Sequence, residues 1–177
     1  MKRRDIRWLL VWLANLLLLW LVGLANHCLA PFAVHLYLGG LLAGFAALRL
    51  DERHGFAATL LTGLSFDATA PVPFGTHVVL LGLVHATLLY GRRRFPREEP
   101  IFATVVALLA NLFLFLALSV LLVGANPRPA DGWMRLFADL IFSQLVVAVV
   151  APWFMAVNAR LLELARLNPE TGRRVEL

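Results

Sequence analysis

Six apolar runs follow one another along the chain with little between them: Trp8 to Ala25, Phe32 to Leu50, Phe56 to Ala70, Phe74 to Tyr90, Ile101 to Gly124 and Trp133 to Val157. Most come close to the roughly 20 residues that a membrane-crossing helix needs. The pattern therefore predicts an all-α integral membrane protein. Its six transmembrane helices fall at about residues 8–25, 32–50, 55–70, 74–91, 100–124 and 133–158, in one polytopic domain over 1–177. The third run is the exception, because Pro71 and Pro73 stop it after about 15 residues and Gly75 opens the next. It reads as the shortest helix, either tilted or re-entrant.

Composition agrees with the pattern. Hydrophobic residues make up 60% and charged residues 15% of the chain, and mean hydropathy is +0.78; soluble domains carry roughly a quarter charged residues. The start, Met1-Lys-Arg-Arg-Asp-Ile-Arg7 before an apolar run, has the look of a signal peptide. The run exceeds the usual 7 to 15 residues of such a segment, and a cut after Cys28-Leu29-Ala30 would leave Pro31 at the new terminus. A lipid-modified Cys28 would need small residues in place of Asn26 and His27. Helix 1 is thus expected to stay as an anchor. The single cysteine excludes an internal disulfide and a cysteine-based zinc cluster.

Charge then orients the chain. Fourteen of the sixteen basic residues lie before helix 1, between helices 2 and 3, between 4 and 5, or after 6, and only Arg128 and Arg135 fall on the other side. Basic loops stay in the cytoplasm, so both termini are expected there. The net charge of +5 is topological. The Gly91-Arg-Arg-Arg-Phe-Pro-Arg97 loop suits anionic lipid head groups or a cytoplasmic protein, and nucleic acid is not expected. The outer connection Ala125 to Gly132 is too short to form a site, and no soluble domain or internal repeat is visible.

Candidate chemistry is sparse. Gly55, Thr59, Gly63 and Asp67 stand four apart and share one face of small residues ending in a carboxylate, which costs roughly 2.5 to 3.5 kcal/mol in a membrane segment without a partner. Asp67 has three readings: a cap of helix 3 or 4, a member of a polar cluster with Arg135 and Asp139, or part of a proton relay. Arg135 and Asp139, one turn apart, read as a surface pair. Gly40 and Gly44 form a second small face, for packing inside the chain or against a partner. Asn15 and Asn111 read as interhelical hydrogen-bonding groups. His77 and His85, roughly 80° apart around one helix, make a poor metal pair. Ser65, Ser119 and Ser143 have no activating neighbours, so no catalytic residue, metal or cofactor is expected.

Six helices with hardly any loops, a basic N-terminus, Gly55-Phe56, and Gly63-x-x-x-Asp67 followed by a turn and Phe74-Gly75 resemble the bacterial rod-shape-determining membrane protein family MreD. The specific part spans Gly55 to Tyr90. Pro71 and Pro73, and Thr76-His77 after the glycine, depart from the family pattern. The resemblance implies a non-enzymatic inner-membrane scaffold of the cell-elongation complex that makes peptidoglycan. Its partners would be MreC, the RodA glycosyltransferase with its transpeptidase, and MreB indirectly. The family's fold is similar to the S components of vitamin transporters, which supplies the alternative: a substrate-binding subunit with a polar outward pocket drawn from Asp67, Arg135, Asp139 and Trp133.

Overall fold

The structure is a computed structural model and describes residues 6–92, 100–124 and 129–165. The basic residues at 2–4, at 93, 94 and 97, at 128 and beyond 165 lie outside these, as does the first half of the Ala125 to Gly132 connection. Six α-helices run as α1 (Arg7–Leu29), α2 (Gly39–Arg49), α3 (Glu52–Asp67), α4 (Thr76–Gly91), α5 (Pro100–Gly124) and α6 (Pro129–Leu164), and no strand occurs among the described residues. Three helical segments, Arg7–Phe32, Ile101–Leu122 and Arg135–Leu164, are long and apolar enough to cross a membrane.

The second helix departs most from expectation. The run Phe32 to Leu50 does not fold as one helix: a 3-10 turn, Ala30–Phe32, continues α1, Ala33 turns left-handed at φ 55°, and residues 34–38 carry no helix before α2 starts at Gly39. With 11 residues α2 is the shortest helix, whereas α3 has 16. Hydropathy could not separate the two halves, because both are equally apolar. What breaks the helix is local. Pro31 ends α1, and the Gly39-Gly40 pair is a poor helix interior but an adequate start.

The short helix is also the centre of the molecule. Every residue from Gly39 to Leu48 is buried, so α2 is apolar on all sides as a fully enclosed helix must be. It packs on α3, α4, α5 and α6, while α3 pairs with α4 and α5 with α6. Arg92, just past α4, donates to the carbonyls of Ala47 and Leu50 and closes the C-terminal end of α2. The outer faces remain greasy: Leu17, Trp20, Leu109, Phe137, Val149 and Trp153 are among many large apolar side chains left exposed. That much contiguous apolar surface suits lipid, not water.

The other boundaries shift modestly. α6 runs to Leu164, beyond the expected 158, and contains Pro152. α4 begins at Thr76 because Gly75, at φ 98°, is still outside the helix.

Candidate functional site

The stripe on α3 faces α4, and Gly63 is the point of closest approach. A Cβ there would lie 2.8 Å from the Val78 Cα and 3.0 Å from its nitrogen, so any side chain would push backbone against backbone. Four residues on, Asp67 is buried at the end of α3. Its Oδ2 accepts from the N–H of Gly75 at 3.0 Å and of Val78 at 3.2 Å. Oδ1 accepts from the His77 N–H at 2.8 Å and from the His77 ring Nδ1–H at 2.8 Å.

This geometry is a helix cap supplied from elsewhere. The first helical N–H groups of α4 have no partner within the helix, and the N-cap residue normally provides one from its own side chain. Here the N-cap is Gly75, which has none and whose left-handed φ bars most others. Asp67, eight residues upstream, does the work instead and places its negative charge at the positive end of α4. Of the three readings of Asp67, the contacts are those of the cap. The relay reading fares poorly, because four donors already occupy the carboxylate.

Aromatic rings wall this corner. The His77 ring stacks on Phe66 at 3.9 Å, and Tyr37 stacks on Phe66 at 5.8 Å and meets Phe115 edge-on at 6.2 Å. The hydrogen bond to Asp67 assigns the proton to Nδ1 of His77.

A second polar group serves the stretch at 34–38. The N–H of His35 donates to Asp139 Oδ1 at 2.8 Å, that of Leu36 to Asn26 Oδ1 at 2.7 Å and that of Tyr37 to Ser143 Oγ at 2.9 Å. Asn26 Nδ2 donates back to the Leu36 carbonyl at 3.0 Å, and the Gly40 N–H reaches Asn111 Oδ1 at 3.1 Å. Non-helical backbone inside a membrane protein is tolerated only where protein groups satisfy it; α1 and α6 send side chains to this stretch, and α5 sends Asn111 to the first turn of α2. Lower in the bundle Asn15 donates to the Leu42 carbonyl and to Thr62, and Thr59 meets His85 Nδ1 at 3.0 Å.

The expected Arg135 and Asp139 pair does not form. No ion pair joins them among the described residues: Asp139 turns inward to the His35 N–H, and Arg135 is exposed. Asp67 does not join them either, its oxygens being taken within the α3–α4 corner. The small face of α2 is used inside the chain. A Cβ on Gly40 would fall 2.3 Å from the Ala107 carbonyl oxygen on α5, whereas one on Gly44 would meet only the Met155 terminal methyl at 3.3 Å. Sequence reasoning passed over His77 as a partner of Asp67, and over Asn26, His35 and Ser143. The available signal was polar residues in separate apolar runs beside a Pro31…Gly39-Gly40 break.

Among the described residues no three His, Cys, Asp or Glu side chains converge. Ser65 donates to the Leu61 carbonyl and accepts from Trp12, and Ser143 accepts from the Tyr37 N–H, so both hydroxyls are engaged in structural hydrogen bonds. Compared with protein-family models, curated proteins and solved structures, the chain matches none. The class that fold and site define is a helical membrane protein whose polar groups serve its own backbone.

Proposed function

We propose that the chain is a non-enzymatic scaffold of the MreD type in the bacterial inner membrane. In this reading it holds MreC and the RodA synthase with its transpeptidase in register, and reaches MreB through them. One observation carries it: Gly63, Asp67 and Gly75, the residues of the resemblance, act together in the chain as one device that fixes the α3–α4 corner. A second, small-solute carrier reading has less support. Asp67 and Asp139 both serve backbone N–H groups, and of the four residues expected for its pocket only Trp133 lines the groove between α5 and α6, while Asp67, Asp139 and Arg135 do not.

The same proposal has six crossings with both termini cytoplasmic. Helices α1, α5 and α6 have ample length. Residues 34–38, if fully extended, and α2 each add about 16 Å and together match the roughly 30 Å hydrocarbon core. The 16-residue arms α3 and α4 reach about 24 Å each and cross only where the bilayer thins. Reporter fusions at Pro31, Pro73 and Pro129 should read outside, and at Asp51 and the C-terminus inside. Depletion in a rod-shaped host should round the cells, and mild-detergent purification should bring down MreC or RodA. Normal shape on depletion, with growth restored by one added vitamin, would replace the scaffold by the carrier.

A further inference from the structure

Two helices that start together end at different heights. α1 and α3 rise from one level, where Arg7 Nη1 lies 3.9 Å from Asp51 Oδ1, and run the same way, since Asn15 meets Thr62 further along both. With its 3-10 turn α1 continues for 26 residues, about 39 Å. α3 stops after 16 residues, about 24 Å, and α4 returns with another 16. An ordinary hydrocarbon core is roughly 30 Å thick. A flat bilayer crossed by α1 would therefore close over the α3–α4 turn.

The turn is not built to stay dry. Its inner side is sealed by buried Asp67, which serves the N–H groups that open α4. Its outer side is open: Ala68, Thr69, Pro71, Pro73 and Phe74 are exposed. Among the described residues no group donates to the carbonyls of Ala68, Thr69, Ala70, Pro71 or Val72, and the N–H groups of Val72 and Phe74 have no acceptor. The stretch at 34–38 borrows side chains from α1 and α6 for the same need, and these carbonyls borrow none. Irregular backbone at membrane depth is tolerated only where protein or water satisfies it. We propose that the leaflet beside the α3–α4 turn dips by about 6 Å and brings water onto these carbonyls, so that the chain carries a locally thinned bilayer on that side. The dip rests on the crossing of α3 and α4 and is independent of the scaffold and its partners.

Single cysteines test this in the full chain carrying Cys28→Ser, reconstituted in dioleoylphosphatidylcholine vesicles with a membrane-impermeant maleimide on both faces. The reference is Leu24→Cys, at a side chain 50% exposed on α1 and about 26 Å from Arg7, the height of the turn. Thr69→Cys and Phe74→Cys should react about tenfold or more faster than the reference, because only the thiolate reacts and apolar surroundings hold a thiol protonated. Either turn position suffices if the other variant fails to fold. In the thicker dierucoylphosphatidylcholine bilayer both should keep that lead, since the protein holds the dip in place. Turn cysteines as slow as Leu24→Cys in either bilayer would mean that the turn is dry. Leu24→Cys as fast as the turn in either bilayer would mean that water stands at this height all round. Each result overturns the dip and leaves the crossing itself untouched, which the reporter at Pro73 reads separately.

Discussion

The α3–α4 corner and the entry to α2 solve one problem in opposite ways. Each contains backbone N–H groups that no helix satisfies, in a setting with little water to replace the missing partners. At the corner a single carboxylate, Asp67, takes three backbone N–H groups and the His77 ring, all within eleven residues of itself. At the entry to α2 the N–H groups of His35, Leu36, Tyr37 and Gly40 go to four different side chains on three helices. The first arrangement is local and concentrated, so one substitution can undo it. The second is long-range and divided, so each member is worth less and several must be lost together.

The largest effect is expected at the concentrated site. Asp67→Leu strands four donors, each costing about 1 to 3 kcal/mol when buried and unpaired, and the protein should fail to accumulate in the membrane. Asp67→Asn keeps the size and an acceptor oxygen, and should retain most folded protein in a detergent melting assay. Equal damage from both, with protein still present, would show that charge, not capping, is what matters.

Gly63→Ala comes next. Its Cβ meets Val78 backbone at 2.8 Å and must part α3 from α4, so a loss of about 1 to 3 kcal/mol is expected. An unfolding temperature equal to that of the parent would mean the two helices are not held this close. Asp139→Ala should cost less than Asp67→Leu, because only the His35 N–H loses its partner while Asn26 and Ser143 still hold the next two residues. Combining it with Ser143→Ala should cost more than the sum of the two, by about 0.5 kcal/mol or more, if the segment at 34–38 is held as a unit. Strict additivity would refute the shared clamp. The smallest effect is expected for Gly44→Ala, whose added methyl meets only the flexible end of Met155.

The two regions also differ in how far the sequence disclosed them. The corner was legible: an acid in an apolar run, small residues at four-residue spacing before it and a proline-rich turn after it are all local signals. His77 escaped because its partner stands ten residues away across a turn. The entry to α2 was barely legible: apart from His35 and Arg49 the run Phe32 to Leu50 is apolar or glycine, a pattern that a helix and a buried extended segment share. Asp139 was misread for a related reason. Spacing of four on α6 puts Arg135 and Asp139 near one another around the helix, but cannot say that one side faces out while the other meets a backbone from residue 35. Six apolar runs disclosed the helical class; the shortest helix turned out to be the second, because its first half is held open by residues far along the chain.

That distance sets a schedule. Asp139 and Ser143 lie 104 and 106 residues downstream of the N–H groups they serve, and Asn111 lies 71 beyond Gly40. At about 5 to 20 residues per second, the ribosome takes roughly 5 to 20 s to supply the last of them. For that interval the segment before α2 has only Asn26 of its side-chain acceptors, and must wait in the translocation machinery or at the lipid interface. A chain cut short before residue 139 never completes that segment's set of partners. The final helix therefore serves as the checkpoint for a segment made near the beginning.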